Sequence, residues 1–149
     1  MNKIISYILL FFLSNCAYEP ILTNKNYEFS INANKINGDQ KVNSIIINNF
    51  NNLKGNEKKY DIILSSNKEK NIISKDSKGD PSIFELLINV KYSVKKDEKT
   101  IIENKISRRT TYNNITDKFE MENYEKTIIN NLSTNISDNI ILSISKINE

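Results

Sequence analysis

Apolar and polar residues alternate along several stretches of the chain, and this period of two is typical of strands with one buried face. The first stretch starts at Tyr27 and the second at Tyr60, and a turn at 76–81 separates the second from the third. The third stretch is the clearest, and the residues on its apolar face are Phe84, Leu86, Ile88, Val90, Tyr92 and Val94. After a charged turn at 96–99, residues 100–112 are predicted to return as a fourth strand, antiparallel to the third.

Two other stretches have the three- and four-residue spacing of amphipathic helices. The residues with this spacing in the first stretch are Val42, Ile45, Ile46, Asn49, Phe50 and Leu53. Gly55 follows as an expected helix stop, although the run 45–47 is also compatible with a strand. The second helix is predicted to begin at Asp117, which with Glu120 resembles a capping box. Its apolar stripe, expected to pack on the sheet, contains Met121, Tyr124, Ile128, Ile129, Leu132, Ile136, Ile140, Ile141 and Ile144.

The predicted order of elements is strand, helix, strand, strand, strand, helix. Strands interleaved with only two helices fit an α+β fold, in which a four-stranded, mostly antiparallel sheet carries both helices on one face. No internal repeat or linker divides the sequence after the N-terminal region. Residues 27–149 are therefore predicted to form a single domain.

The N-terminus has the layout of an export signal. Lys3 precedes an apolar block at 4–13, and the polar pair at 14–15 leads to Cys16, the single cysteine of the chain. Such a layout is typical of a secretory signal, and the block is shorter than the roughly 20 residues that a membrane-spanning helix needs. In an exported chain a single cysteine is an intermolecular bridge, a free thiol or a modification site.

Leu13-Ser14-Asn15-Cys16 resembles the bacterial lipobox, with Asn15 standing where that pattern prefers Gly or Ala. The resemblance implies a signal peptide at 1–15, lipidation of Cys16 by three acyl chains, palmitate among them, and a lipidated tether at 16–26. Two or more chains are what stable membrane attachment requires. Ala17, rather than Asp, favours sorting to the outer membrane by analogy with enteric lipoproteins. An ordinary cleaved signal peptide and an uncleaved anchor are the alternatives.

Composition argues against catalysis and against nucleic-acid binding. The 149 residues carry a formal charge of +3 and contain no histidine. This charge is small for a nucleic-acid binder, and a chain without His whose one Cys is acylated lacks the usual parts of a nucleophilic triad or a zinc site. The three glycines are isolated, so the sequence contains no phosphate-cradling loop. We expect no enzyme activity, no catalytic residues, no metal, no cofactor and no nucleic-acid partner.

Basic residues are the remaining candidates for binding, as contacts to lipid phosphates. These residues are Lys75, Lys78, Lys95, Lys96, Arg108 and Arg109. Arginine offers bidentate geometry to a phosphate, but the alternative for each residue is a solvated charge that keeps a strand edge soluble. Arg108 shares a strand face with Ile102 and Ile106, so its stem is expected to lie against the helix layer. Successive hairpin turns lie at alternate ends of a sheet. The lysine pair 75 and 78 therefore shares an end with the lysine pair 95 and 96 only if their strands are differently offset.

The stretch Cys16-Ala17-Tyr18-Glu19-Pro20-Ile21-Leu22 resembles the start of mature members of the LPS-assembly lipoprotein LptE family. The order of elements and Thr111-Tyr112-Asn113-Asn114 before the last helix also match that layout. The resemblance implies an outer-membrane lipoprotein on the periplasmic side that plugs the LptD β-barrel, assists its assembly and helps deliver lipopolysaccharide to the outer leaflet. It also implies lipopolysaccharide binding through basic residues. An auxiliary lipoprotein of an ABC-type envelope lipid transport system and an envelope structural or inhibitor lipoprotein stay open as alternatives.

Overall fold

The computed structural model describes residues 27–55 and 57–147. Its elements, in chain order, are β1 (Phe29–Gly38), α1 (Gln40–Asn51), β2 (Lys58–Lys75), β3 (Pro81–Lys96), β4 (Lys99–Asn113) and α2 (Lys118–Ser145). The strands form one sheet in the order β1-β2-β3-β4. β1 and β2 are parallel and joined by α1, because parallel neighbours need a crossover, whereas β2, β3 and β4 are antiparallel. The predicted fold class and order of elements are confirmed.

Both helices cover one face of the sheet, which we call the helix face. The alternating residues of the strands supply one side of the core, including Tyr60, Ile62, Leu64, Ile88 and Val90, each at most 1% exposed. The helices supply the other side, including Val42, Ile46, Ile136, Ile140 and Ile144, all 0% exposed. The opposite face, here called the open face, carries no helix among the described residues. The period of two is therefore the direct result of covering the sheet on one side only.

The first helical stretch does form a helix, which settles the ambiguity of the run 45–47. Asp39 caps α1, because its Oδ1 accepts a hydrogen bond of 3.0 Å from the backbone N–H of Val42. The expectation that Gly55 stops the helix needs correction, because α1 ends at Asn51. A Cβ at position 55 would meet the backbone of Tyr27 and Phe29. Gly55 therefore allows two chain segments to approach closely.

The sheet is longer than the part that α1 covers. β1 ends where Gly38 pairs with Ser66, but β2 continues to Lys75 and turns into β3. We call the end of the sheet where β1 begins the proximal end, and the end with the β2–β3 hairpin at 76–80 the distal end. Toward the distal end only three strands continue, and α1 does not lie above them.

The second helix begins at the predicted cap but buries its stripe unevenly. Asp117 Oδ1 accepts a hydrogen bond of 2.9 Å from the N–H of Glu120. The stripe packs on the sheet as predicted from Ile128 onward, whereas Tyr124 is 46% exposed. The reason is that the first turns of α2 lie at the distal end, where α1 does not flank them. Within the described ranges, no helix combines the length and hydrophobicity that crossing a bilayer requires.

Candidate functional site

The predicted lipidation site, Cys16, lies outside the described residues, as do the predicted signal peptide at 1–15 and the tether at 16–26. The described chain enters the fold at Tyr27, just before β1, and therefore at the proximal end. α2 runs back toward the same end. Its Glu125 meets Tyr112 near the distal end, and its Ser143 meets Tyr92 closer to the proximal end.

The candidate lysines lie at opposite ends of the sheet. Lys75 and Lys78 belong to the distal β2–β3 hairpin, and Lys95 and Lys96 lie beside the proximal β3–β4 turn. β3 has 16 residues, which at about 3.4 Å per residue separates its ends by about 50 Å. The strands of the described sheet are not offset in a way that brings the two lysine pairs to the same end. One ligand head group therefore does not touch both pairs.

The two arginines lie on opposite faces of β4. Arg108 is on the helix face, as its parity predicted, and its Nε donates a hydrogen bond of 2.6 Å to Asn135 Oδ1 on α2. Arg109 is on the open face, where its side chain is 75% exposed and its guanidinium lies 3.7 Å from a carboxylate oxygen of Glu85. An ion pair this exposed contributes little to stability. Arg108 therefore joins the helix to the sheet, and Arg109 is accessible to a partner.

The distal end contains a cleft of about 860 Å³ between the β2–β3 hairpin and the start of α2. Lys78 is the candidate basic residue that lines it. The hairpin turn beside the cleft is held by Asp76, whose Oδ1 accepts hydrogen bonds of 2.9 Å from the N–H groups of Lys78 and Asp80. Apolar side chains of the same lining include Pro81 and Met121. The cleft thus combines an ordered turn, apolar side chains and charges of both signs.

Glu125 organises the inner wall of this distal cleft. One of its carboxylate oxygens pairs with the ammonium of Lys70 at 2.5 Å and accepts a hydrogen bond of 2.8 Å from the hydroxyl of Tyr112. Burial, and then the bond to Glu125, raise the pKa of Tyr112 above its ordinary value. Lys70 also lies 4.2 Å from the centre of the Phe84 ring. These contacts fix the first turns of α2 on the sheet.

The open face contains a second cleft, of about 410 Å³, that sequence reasoning did not single out as a site. Its lining includes Lys91 and Lys105, which are direct cross-strand partners on β3 and β4. Ser65 pairs with Lys91 from the other side, on β2. Alternation along each strand places these side chains on the open face, but only the register between strands brings them together. The register is the signal that the sequence pattern alone does not contain.

Groups of three or more metal-ligating side chains are absent from the described part of the chain.

Comparison with known proteins finds a similar fold in solved structures of bacterial lipoproteins. No protein-family model matches the chain, and no curated protein matches it either. Among solved structures, the chain is similar to the rare lipoprotein B from Shewanella oneidensis, with 16% sequence identity and a TM-score of 0.55. That similarity covers 79% of this chain and 100% of the other. It is also similar to the uncharacterized lipoprotein B from Nitrosomonas europaea, at 12% identity and a TM-score of 0.56, over 84% of this chain and 91% of that one. The chain shares their fold.

Proposed function

We propose that this chain is a lipid-anchored lipoprotein of LptE type at the periplasmic side of the outer membrane. In this proposal it plugs an LptD-type barrel, assists the assembly of that barrel and helps deliver lipopolysaccharide to the outer leaflet, without enzymatic activity. The observation that carries the proposal is the fold itself, which is shared over the whole length of one bacterial lipoprotein. The lipobox-like stretch ending at Cys16 supports it independently.

The geometry of the domain is compatible with this role. The described chain enters the sheet at the proximal end, so the distal end is the end farther from the point where the N-terminal region joins the domain. The open face is largely polar, with residues such as Ser65, Asn67, Asn89 and Ser107 on it. A polar face of this kind suits the polar lumen of an outer-membrane barrel better than it suits lipid.

The separation of the basic residues divides the proposed lipid contacts. Lys75 and Lys78, in the distal hairpin, are the candidates for contact with lipopolysaccharide during delivery. Lys95 and Lys96 lie at the proximal end, on the side of the tether, where phosphates of the anchoring membrane are the expected neighbours. Arg109 is the exposed arginine, whereas Arg108 is engaged with Asn135.

The anchor is tested by replacing Cys16 with Ser and separating the inner and outer membranes. The wild-type chain is expected in the outer membrane with the mass of an acylated N-terminal cysteine, and Cys16→Ser is expected to lose both properties. An unacylated wild-type chain, together with a variant that stays in the outer membrane, would contradict lipidation.

The partner is tested by purifying the tagged wild-type chain from detergent-solubilised membranes. We expect a large outer-membrane barrel to be recovered in about equal amount. Recovery with an inner-membrane ATPase complex instead would favour the auxiliary transport lipoprotein and defeat the LptE-type proposal.

A further inference from the structure

Three stretches of strand edge are uncovered within the described sheet. They are the outer side of β1, the part of β2 beyond Ser66, where β1 has ended, and the outer side of β4. An uncovered edge leaves backbone N–H and C=O groups unpaired, and proteins usually interrupt such an edge or place charges on it. The regularity of each edge therefore indicates where another strand can pair.

Two of these edges are interrupted, and the third is not. The register of β1 shifts between Ala33 and Lys35, and that of distal β2 shifts on both sides of Ser74. A shift of this kind bends the strand and disrupts its row of unpaired groups. On β4, by contrast, residues 102–113 follow the register of β3 without a shift. The outer side of this stretch, which we call the β4 edge, is long and regular enough to pair with another strand.

The β4 edge contains charged residues of both signs. They are Glu103, Lys105, Arg108 and Arg109. Charges protect an edge against a second copy of the same chain only where like charges meet, and the register decides which residues meet. In a two-fold symmetric antiparallel pair, residue i of one copy faces residue j of the other, and j faces i. With the helices of both copies on the same side of the joined sheet, i and j are both even or both odd.

One register of this kind combines length with the absence of facing like charges. It is centred on Ile106 and pairs residues 102–110 of each copy. Registers centred on 105, 107, 108 or 109 place two basic residues opposite each other. Registers centred on 104, on 110 or farther out pair fewer residues. The facing residues of the register centred on Ile106 are Ile106 with Ile106, Lys105 with Ser107, Asn104 with Arg108, Glu103 with Arg109, and Ile102 with Thr110.

The register centred on Ile106 brings a second carboxylate to Arg109. The Arg109 side chain is 75% exposed, and its guanidinium lies 3.7 Å from a carboxylate oxygen of Glu85 in the same chain. Glu103 of the second copy faces Arg109 across the edge, and the two-fold axis repeats this pair of opposite charges. On the helix face, Ile102 and Ile106 are only partly buried against the core, so the pairing covers apolar surface as well.

We propose that the free chain forms a two-fold symmetric dimer through the β4 edge. Residues 102–110 of the two copies pair antiparallel, with Ile106 opposite itself and Glu103 opposite Arg109 in both halves. The two four-stranded sheets then form one continuous sheet of eight strands. The occupant of the edge is a second copy because the charges of the edge match each other in this register. The dimer concerns the chain outside a barrel and does not rest on the proposed function.

The test is sedimentation velocity of the purified full-length chain over a range of concentrations. The sample is kept in a density-matched non-ionic detergent with a reducing agent, which excludes a disulfide through Cys16. We expect a monomer–dimer equilibrium for the wild type. Arg109→Glu and Glu103→Arg each place like charges opposite each other twice, so each should weaken the dimer by about tenfold or more. The double variant Glu103→Arg/Arg109→Glu exchanges the charges and should restore the dimer to within about threefold of wild type.

The matched control is Lys91→Glu. It makes the same change of charge on the open face of β3, away from the β4 edge, and should leave dimerisation within about twofold of wild type. Cysteine cross-linking without the reducing agent measures the register. Ile106→Cys should give a disulfide-linked dimer on oxidation, whereas Ser107→Cys should not, because position 107 faces Lys105. The wild type, with Cys16 alone, gives the background.

Four results would overturn the proposal. They are a wild-type chain that stays monomeric, single charge reversals without effect, a double variant that does not recover, and equal disulfide yields from positions 106 and 107. An equal loss of the dimer in Lys91→Glu would also contradict it, because the effect would then follow net charge. Recovery of a barrel partner tests the proposed function separately, so either conclusion can fail without the other.

Discussion

The two layers of the fold meet along α2, and a pair of identical substitutions measures how much that contact contributes. Ile136, on the α2 stripe, is 0% exposed, whereas Ile73, near the end of β2, is 54% exposed. Replacing Ile136 by Ala removes Cγ1, Cγ2 and Cδ1 from the core. At about 0.8 kcal/mol per buried carbon, transfer alone costs about 2.4 kcal/mol, and the cavity left behind raises this cost to about 3–4 kcal/mol.

A smaller opposing effect comes from the helix itself. Alanine has a higher helix propensity than isoleucine, by about 0.4 kcal/mol, so the expected net loss for Ile136→Ala is about 3 kcal/mol. Ile73→Ala makes the same chemical change where half of the side chain is already in water and no closed cavity results. Its expected cost is about 1 kcal/mol or less, including the loss of strand propensity.

Urea unfolding of the purified chains, followed by circular dichroism, compares the two variants with wild type. With an m value of about 2 kcal/mol per molar, Ile136→Ala should lower the midpoint by about 1.5 M at unchanged slope, and Ile73→Ala by about 0.5 M or less. If Ile136→Ala costs no more than Ile73→Ala, the stripe of α2 does not pack on the sheet as described.

Three further predictions concern single contacts. Gly38 has φ of +98°, and a Cβ there would meet the backbone of Ser66. Gly79 has φ of +89° but open space around it. Gly38→Ala should therefore cost several times more in free energy of unfolding than Gly79→Ala. Burial acts to raise the pKa of Asp39, but the hydrogen bond from the Val42 N–H and the pairing with Lys68 outweigh burial and lower it. The lowered pKa stabilises the folded chain above the unfolded pKa of about 3.9, and this stabilisation is lost as the pH falls through the folded value. Asp39→Ala should therefore cost about 1–2 kcal/mol at neutral pH. In unfolding titrations at acid pH, the stability difference between Asp39→Ala and wild type should become smaller. Tyr112→Phe removes the hydrogen bond to Glu125 and should lower stability by about 1 kcal/mol in urea titrations; no loss would show that this bond does not hold α2.

Much of the fold is contained in local patterns. The alternation from Phe84 to Val94 predicts a strand with one buried face, and β3 has that burial pattern. The three- and four-residue spacing from Ile128 to Ile144 predicts the packed face of α2. The turn at 96–99 was also predictable. Its left-handed conformation was not, because the two residues that adopt it, Asp97 at φ 49° and Glu98 at φ 64°, are not glycines. Local periodicity is sufficient wherever burial on one side determines the residue type.

Long-range arrangement was not predictable in the same way. Tyr124 continues the stripe of α2 but is half exposed, because α1 and β1 end before the distal end of the sheet. The sequence pattern of α2 does not show how far the neighbouring elements extend. The candidate lysines lie beside two turns, and these turns are at opposite ends of β3. Lys91 and Lys105 meet only because of the register of two strands, which depends on a hairpin with a two-residue turn and on a register shift between Val94 and Lys95.

The proposal that the chain fills a barrel is tested most directly by cross-linking in intact cells. A photoreactive residue is placed at Asn67 on the open face or, in a second variant, at Asn130, which is exposed on α2. A plug is surrounded by the barrel wall, so we predict adducts with the same outer-membrane barrel from both positions. Adducts from neither position, or adducts with an inner-membrane transport protein instead, would contradict the account.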